Sequence, residues 1–118
     1  MNFEEAIRAH TKWKARLRLY LTTLGSEGLD AELIAKEDEC ELGQWLHGPG
    51  AAHAKLREYE ELKLRHAAFH RAAADIVTTA ATDKDAALGL LDEEATFSVL
   101  SAQVVAAIRA FTTKLKAR

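Results

Sequence analysis

At 118 residues, 48% of them apolar, the chain is long enough for one domain with a real core and no more. A formal charge of -2 and the lack of a long basic run exclude a nucleic-acid surface as its main purpose. No apolar stretch approaches bilayer-crossing length and no signal-peptide pattern opens the chain, so no membrane partner is expected and the cytosol is the expected location.

One Pro, six Gly and 7% aromatic residues favour helices over a sheet. The first predicted helix runs from Asn2 to Leu24, with Asn2 and Glu5 at capping-box spacing. Phe3, Ile7, His10, Leu17, Leu21 and Leu24 form one apolar stripe, flanked by Trp13 and Tyr20. Lys12, Arg16 and Arg18 take the other face, and Gly25 and Gly28 end the helix. The segment Asp30–His47 is less regular. Asp30 caps a short helix through Leu33 and Ile34, and residues 36–39 are mostly acidic. Cys40 to Leu46 reads as a short helix or tight turn with Leu42, Trp45 and Leu46 inward. Gly48-Pro49-Gly50 is the strongest break in the chain.

Ala51–Ala81 reads as one long helix. Its inward stripe is Leu56, Tyr59, Leu62, His66, Phe69 or His70, Ala73, Val77 and Ala80. Residues 82–85 break and recap the chain. The last helix, Asp85–Leu115, carries the seven-residue series Leu90, Phe97, Val104, Phe111, joined by Leu100 and Ile108. It has no His or Cys, so it supplies packing and not ligands. The expected fold is all-α and a single domain over residues 1–118. It is an antiparallel four-helix bundle of three long helices plus the short irregular segment that carries Cys40. The broad stripe on the last helix exceeds what a small bundle hides, which points to a homodimer packed helix to helix.

His66-Ala67-Ala68-Phe69-His70 puts two imidazoles one turn apart on the face shared with Leu62, Ala73 and Val77. This is a common way for a helix to offer two nitrogens to zinc, though by itself the spacing is a weak signal. Two more inward donors complete a set: His10, and Cys40, the one cysteine. Three imidazoles and one thiolate suit a closed tetrahedral zinc site. The first and third helices, if adjacent and antiparallel, bring His10 level with the pair. Unpaired, each buried polar group costs roughly 1–3 kcal/mol, and a metal satisfies one nitrogen of each ring. The other nitrogens need a carbonyl or a carboxylate, and Asp38 or Glu39 is a candidate for the latter. Ligand histidines must be neutral, so zinc is expected to leave as pH falls below about 6. His47 and His53 flank the break and are expected to be exposed non-ligands. Trp13 and Trp45 read as wedges that shape the core, and Gly43 as a point of close backbone approach beside Cys40.

The pattern His10-x-x-Trp13, Cys40-x-Leu42-Gly43-x-Trp45, His66-x-x-x-His70 resembles that of the chemoreceptor zinc-binding domains, with every element present and in order. The resemblance implies a cytosolic helical bundle, usually dimeric, holding zinc through His10, Cys40, His66 and His70. It further implies a regulatory input to bacterial chemoreceptors or diguanylate cyclases, sensing zinc or oxidants such as hypochlorous acid through the zinc thiolate.

Other readings are less well supplied. A hydrolytic zinc keeps one position open for water. Four protein ligands leave none open, and there is no His-Glu-x-x-His, so no enzyme is expected. A di-iron bundle needs inward carboxylates beside the histidines, and the turns around His10 and His66 lack them. A purely structural zinc in a dimerisation or interaction module is the remaining alternative.

Overall fold

The computed structural model describes residues 1–23, 31–36, 40–92 and 94–117. The expected roles of Leu24, Gly25, Gly28, Asp30, Asp38 and Glu39 fall outside them. Among the described residues every regular element is helical. In chain order these are α1 (Phe3–Thr11), α2 (Trp13–Thr22), α3 (Ala31–Ala35), α4 (Glu41–His47), a 3-10 helix (Pro49–His53), α5 (Arg57–Ala80), α6 (Lys84–Gly89) and α7 (Thr96–Lys116).

The first predicted helix is present but interrupted at Lys12. The Asn2 side chain accepts from the Glu5 N–H at 3.1 Å, the first half of the expected capping box. Just before the interruption two side chains draw on carbonyls of the preceding turn. His10 Nδ1–H donates to the Ala6 carbonyl, and Thr11 Oγ1 donates to that of Ile7. Such back-bonding bends helices, and it accounts for the irregularity.

The third helix starts at Arg57, not Ala51. Gly48 and Pro49 open a 3-10 turn instead, and Leu56 is extended (φ -78°, ψ 135°) before α5 begins. Gly50 lies against Trp45: a Cβ there would sit 2.7 Å from the indole ring and 2.8 Å from the carbonyl oxygen, so no larger residue fits without a shift. The last helix is also shorter than expected. Asp83 caps α6 through the Ala86 N–H at 3.0 Å, and six residues separate Gly89 from Thr96. That break shifts the phase of the seven-residue series. Leu90 is 37% exposed and Leu91 takes its place in the core at 0%.

Aromatic and polar contacts fix the directions. Tyr59 lies beside Phe111, Arg65 donates to Gln103, and Phe69 lies beside Phe97, so α5 and α7 run antiparallel. Phe3 lies beside Phe111, and His10 lies beside His66, Phe69 and His70. Therefore α1 runs in the same direction as α5, not opposite to it as the sequence suggests. The segment between them makes the return: Ile34 meets His70, Cys40 meets His66, and Leu46 meets Tyr59. The core of this up-down-up-down helical bundle is built on Leu17, Leu42, Leu46, Leu62, Phe69, Ile76, Val104, Ile108 and Phe111, all fully buried.

By length and composition α7 is long and apolar enough to span a membrane, which corrects the expectation that no stretch comes close. Its Phe97, Val104, Ile108 and Phe111 face is buried in the bundle, while only 28% of its apolar stretch is buried.

Candidate metal centre

The four predicted donors meet. One ligand atom from each of His10, Cys40, His66 and His70 lies within 4.8 Å of the other three. His66 is at the centre, its Nε2 standing 3.2 Å from Cys40 Sγ and 3.1 Å from His10 Nε2. All three rings are buried, at 3% exposure or less, and Cys40 is half-buried.

Each element presents its donor for a local reason. On α5 the four-residue step sets His66 and His70 edge to face with ring centroids 4.6 Å apart. On α1 the apolar stripe turns His10 inward beside Ala6 and Ile7. Cys40 is the N-cap of α4, in extended conformation, and its sulfur accepts the Gly43 N–H at 3.4 Å. A thiolate is favoured where a backbone N–H points at it. The backbone amide of Gly43 thus approaches the sulfur.

The outer nitrogens of His10 and His70 meet carbonyls, one of the two expected partner types, but the particular carbonyls are not named by the sequence. His10 Nδ1–H donates to Ala6 at 2.7 Å, and His70 Nδ1–H donates to Ile34 at 2.9 Å. Both bonds put the ring proton on Nδ1, so each ring turns the lone pair of Nε2 toward the cluster. The Ala6 partner was readable in principle, since it stands one helical turn before His10. Nothing in the sequence marks Ile34, which reaches His70 only through the tertiary fold. His66 Nδ1 is buried with no hydrogen-bond partner among the described residues.

The electrostatics suit a cation. Burial pushes the His10 pKa below its ordinary 6.5, against the upward pull of the Ala6 hydrogen bond and with a smaller downward push from His70. Burial, then the neighbouring His70, His10 and His47, lowers that of His66 to about 2. The rings are held neutral, as ligands must be. His66 Nε2 can donate a proton to only one of its two neighbours, Cys40 Sγ or His10 Nε2, at a time, whereas a cation among them engages every donor at once. A tetrahedron with Zn–N near 2.0–2.1 Å and Zn–S near 2.3 Å spaces its donors by roughly 3–4 Å, comparable to the contacts here.

Of the residues expected to stand aside, His47 is exposed and outside the cluster. His53 is likewise no ligand, but it is half-buried and not exposed. It stacks on Trp45 at 6.2 Å and meets the edge of Phe111 at 5.8 Å. Trp45 is wedged against Phe3 and Phe111, and Trp13 carries the Arg16 guanidinium over its ring at 4.3 Å.

The family model described as chemoreceptor zinc-binding domain matches residues 10–77, more than half of the chain and a span that holds all four donors. No curated protein and no solved structure matches the chain. The donor set and the family agree on the cofactor, which is zinc.

Proposed function

The chain belongs to the chemoreceptor zinc-binding domain family, and on that footing we propose that it is a cytoplasmic, non-catalytic sensory module spanning residues 1–118. His10, Cys40, His66 and His70 are its zinc ligands. It reports zinc or an oxidant such as hypochlorous acid to a signalling partner or fused output domain of chemoreceptor or diguanylate cyclase type. The observation that carries this reading is the closed set of four donors drawn from three segments. With no position left for water, the site suits holding and releasing better than hydrolysis. Bound zinc would supply a positive charge that keeps Cys40 a thiolate.

Cys40 is the donor suited to move. It is the most exposed of the four and the only one whose donor atom is oxidised reversibly. The thiolate attacks the chlorine of hypochlorous acid: the S–Cl bond forms, the O–Cl bond breaks with hydroxide leaving, and water then displaces chloride from the sulfur. The resulting sulfenic acid is a poorer ligand. Equimolar hypochlorous acid is expected to release zinc from the wild-type holo protein and not from Cys40→Ser, with zinc release and far-UV helicity as readouts. Equal release from both proteins would sink the oxidant version. Helicity that collapses when EDTA removes zinc at neutral pH would favour the structural-zinc alternative.

The module is proposed to act as a homodimer through the outer face of α7. From Thr96 to Ile108 that helix carries no charge, and Val99, Ala102 and Ala106 on it are exposed. Small side chains let two helices approach closely. Ala106→Glu is expected to shift the sedimenting species from dimer to monomer. An unchanged dimer would place the interface elsewhere.

A further inference from the structure

The sulfur is delivered by a helix that cannot hold itself in place. With seven residues, α4 is well below the length at which an isolated helix is stable in water. Its position is set from the end opposite the sulfur. The Tyr59 hydroxyl donates to the Leu46 carbonyl at 2.6 Å, and Tyr59 is 3% exposed. Leu46 sits in the last turn of α4, where carbonyls lack helical partners. Beside it, the Trp45 ring is wedged between Phe3 at 5.2 Å and Phe111 at 5.8 Å, with the Gly50 backbone against it.

The arithmetic of the two helices gives this contact its meaning. On α5, Tyr59 and His66 are seven residues apart, about 10 Å along the axis. On the antiparallel α4, Leu46 and Cys40 are six residues apart, about 9 Å. The two helices are therefore joined by two rungs at nearly matched spacing. One is Tyr59 to Leu46, the other is His66 to Cys40, whose donor atoms already stand 3.2 Å apart.

We propose that Tyr59 is a positioning residue for the metal centre: its hydroxyl latches the far end of α4 to α5 and so holds the Cys40 sulfur at the height of His66. The inference rests on the proposed four-ligand zinc site and goes beyond it. While the latch is closed, a sulfur that lets go of the metal is held near it, and rebinding is an intramolecular event at high effective concentration. With the latch open, α4 is held only by the apolar contacts of Leu42, Trp45 and Leu46.

Tyr59→Phe keeps the buried ring and removes only the hydroxyl. Zinc affinity, measured by competition with a chromophoric chelator, is expected to fall about tenfold, the scale of an outer partner of a metal ligand. The same substitution in a Cys40→Ala background is expected to change nothing, because no sulfur remains to be positioned. In the cobalt-loaded protein the thiolate-to-cobalt charge-transfer band should weaken, and in the metal-free protein Cys40 should react with a thiol reagent about tenfold faster. Equal losses in both backgrounds would make Tyr59 a general structural residue and overturn the proposal, as would no loss in either. If Cys40→Ala alone leaves zinc affinity untouched, the four-ligand reading itself fails, whatever Tyr59 does. Should Tyr59→Phe not fold, Trp45→Phe at the same end of α4 serves for the same paired comparison.

Discussion

His66→Ala is expected to lose zinc more completely than any other single substitution in the centre. Its Nε2 stands within contact distance of both Cys40 Sγ and His10 Nε2, so the ring is the hub through which α1, α4 and α5 meet. Structural zinc sites bind with roughly 10–16 kcal/mol. One ligand of four then accounts for about 3 kcal/mol, or about a hundredfold in affinity. The hub loses more than its share, since the two donors it spaces are no longer held at tetrahedral separation. Cys40→Ala should do less harm. It leaves three imidazoles, a set that still holds zinc with water in the fourth place. His53→Ala should leave zinc untouched, because that ring packs on Trp45 and Phe111 and is no part of the cluster. Metal content after gel filtration and the zinc-dependent rise in melting temperature check the order. Full stoichiometric zinc in His66→Ala would remove the centre from the account.

The site was legible in the sequence to the extent that it rests on helical periodicity. A four-residue step fixes His66 and His70 on one face whatever surrounds them, and the Ile7–Leu17 stripe fixes the inward turn of His10. Cys40 was legible through its motif, but its role as the cap of α4 depends on backbone geometry that composition does not reveal. Breaks inside long periodic stretches were not legible. Lys12 is an ordinary helix former, and the irregularity there comes from side chains bonding the turn behind it. At Leu90 the series of sevens continues through a real interruption, because Leu91 stands next to it and either leucine satisfies the pattern by eye. The starting point of α5 was misplaced because Ala51, Ala52 and Ala54 favour helix strongly. Tertiary packing of Gly50 on Trp45 overrides that preference and holds the segment in a tighter turn. Long-range facts were out of reach: the parallel run of α1 and α5, the Ile34 carbonyl behind His70, and the Tyr59 latch all depend on how the segment 31–47 returns.

Acid should remove zinc and unfold the bundle in one step, whereas a chelator at neutral pH should remove zinc and leave the bundle helical. The reason is the depressed pKa of the buried rings. Burial holds His10 below its ordinary value and His66 at about 2, while in the unfolded chain both titrate near 6.5. The unfolded state therefore binds more protons than the folded one below pH 6.5, and stability rises with pH through that window. The stability is fully present above 6.5 and falls by about 1.4 kcal/mol per pH unit for His66 as pH drops below it, with the lowered pKa of His10 adding in the same direction. Between pH 7.5 and 5.5 His66 alone costs the metal-free fold about 1.4 kcal/mol, and His10 adds to it in the same direction, a sizeable part of the stability of a small domain. Protons cannot compete well for these nitrogens while the rings stay buried, so they compete by way of the opened chain. Zinc release and loss of far-UV ellipticity should accordingly share one midpoint, and holo protein should reach it at lower pH than metal-free protein, since zinc binds only the folded form. Zinc leaving near pH 6 from a bundle of undiminished helicity would mean that the rings titrate in place and that their burial is looser than the packing around His66 implies.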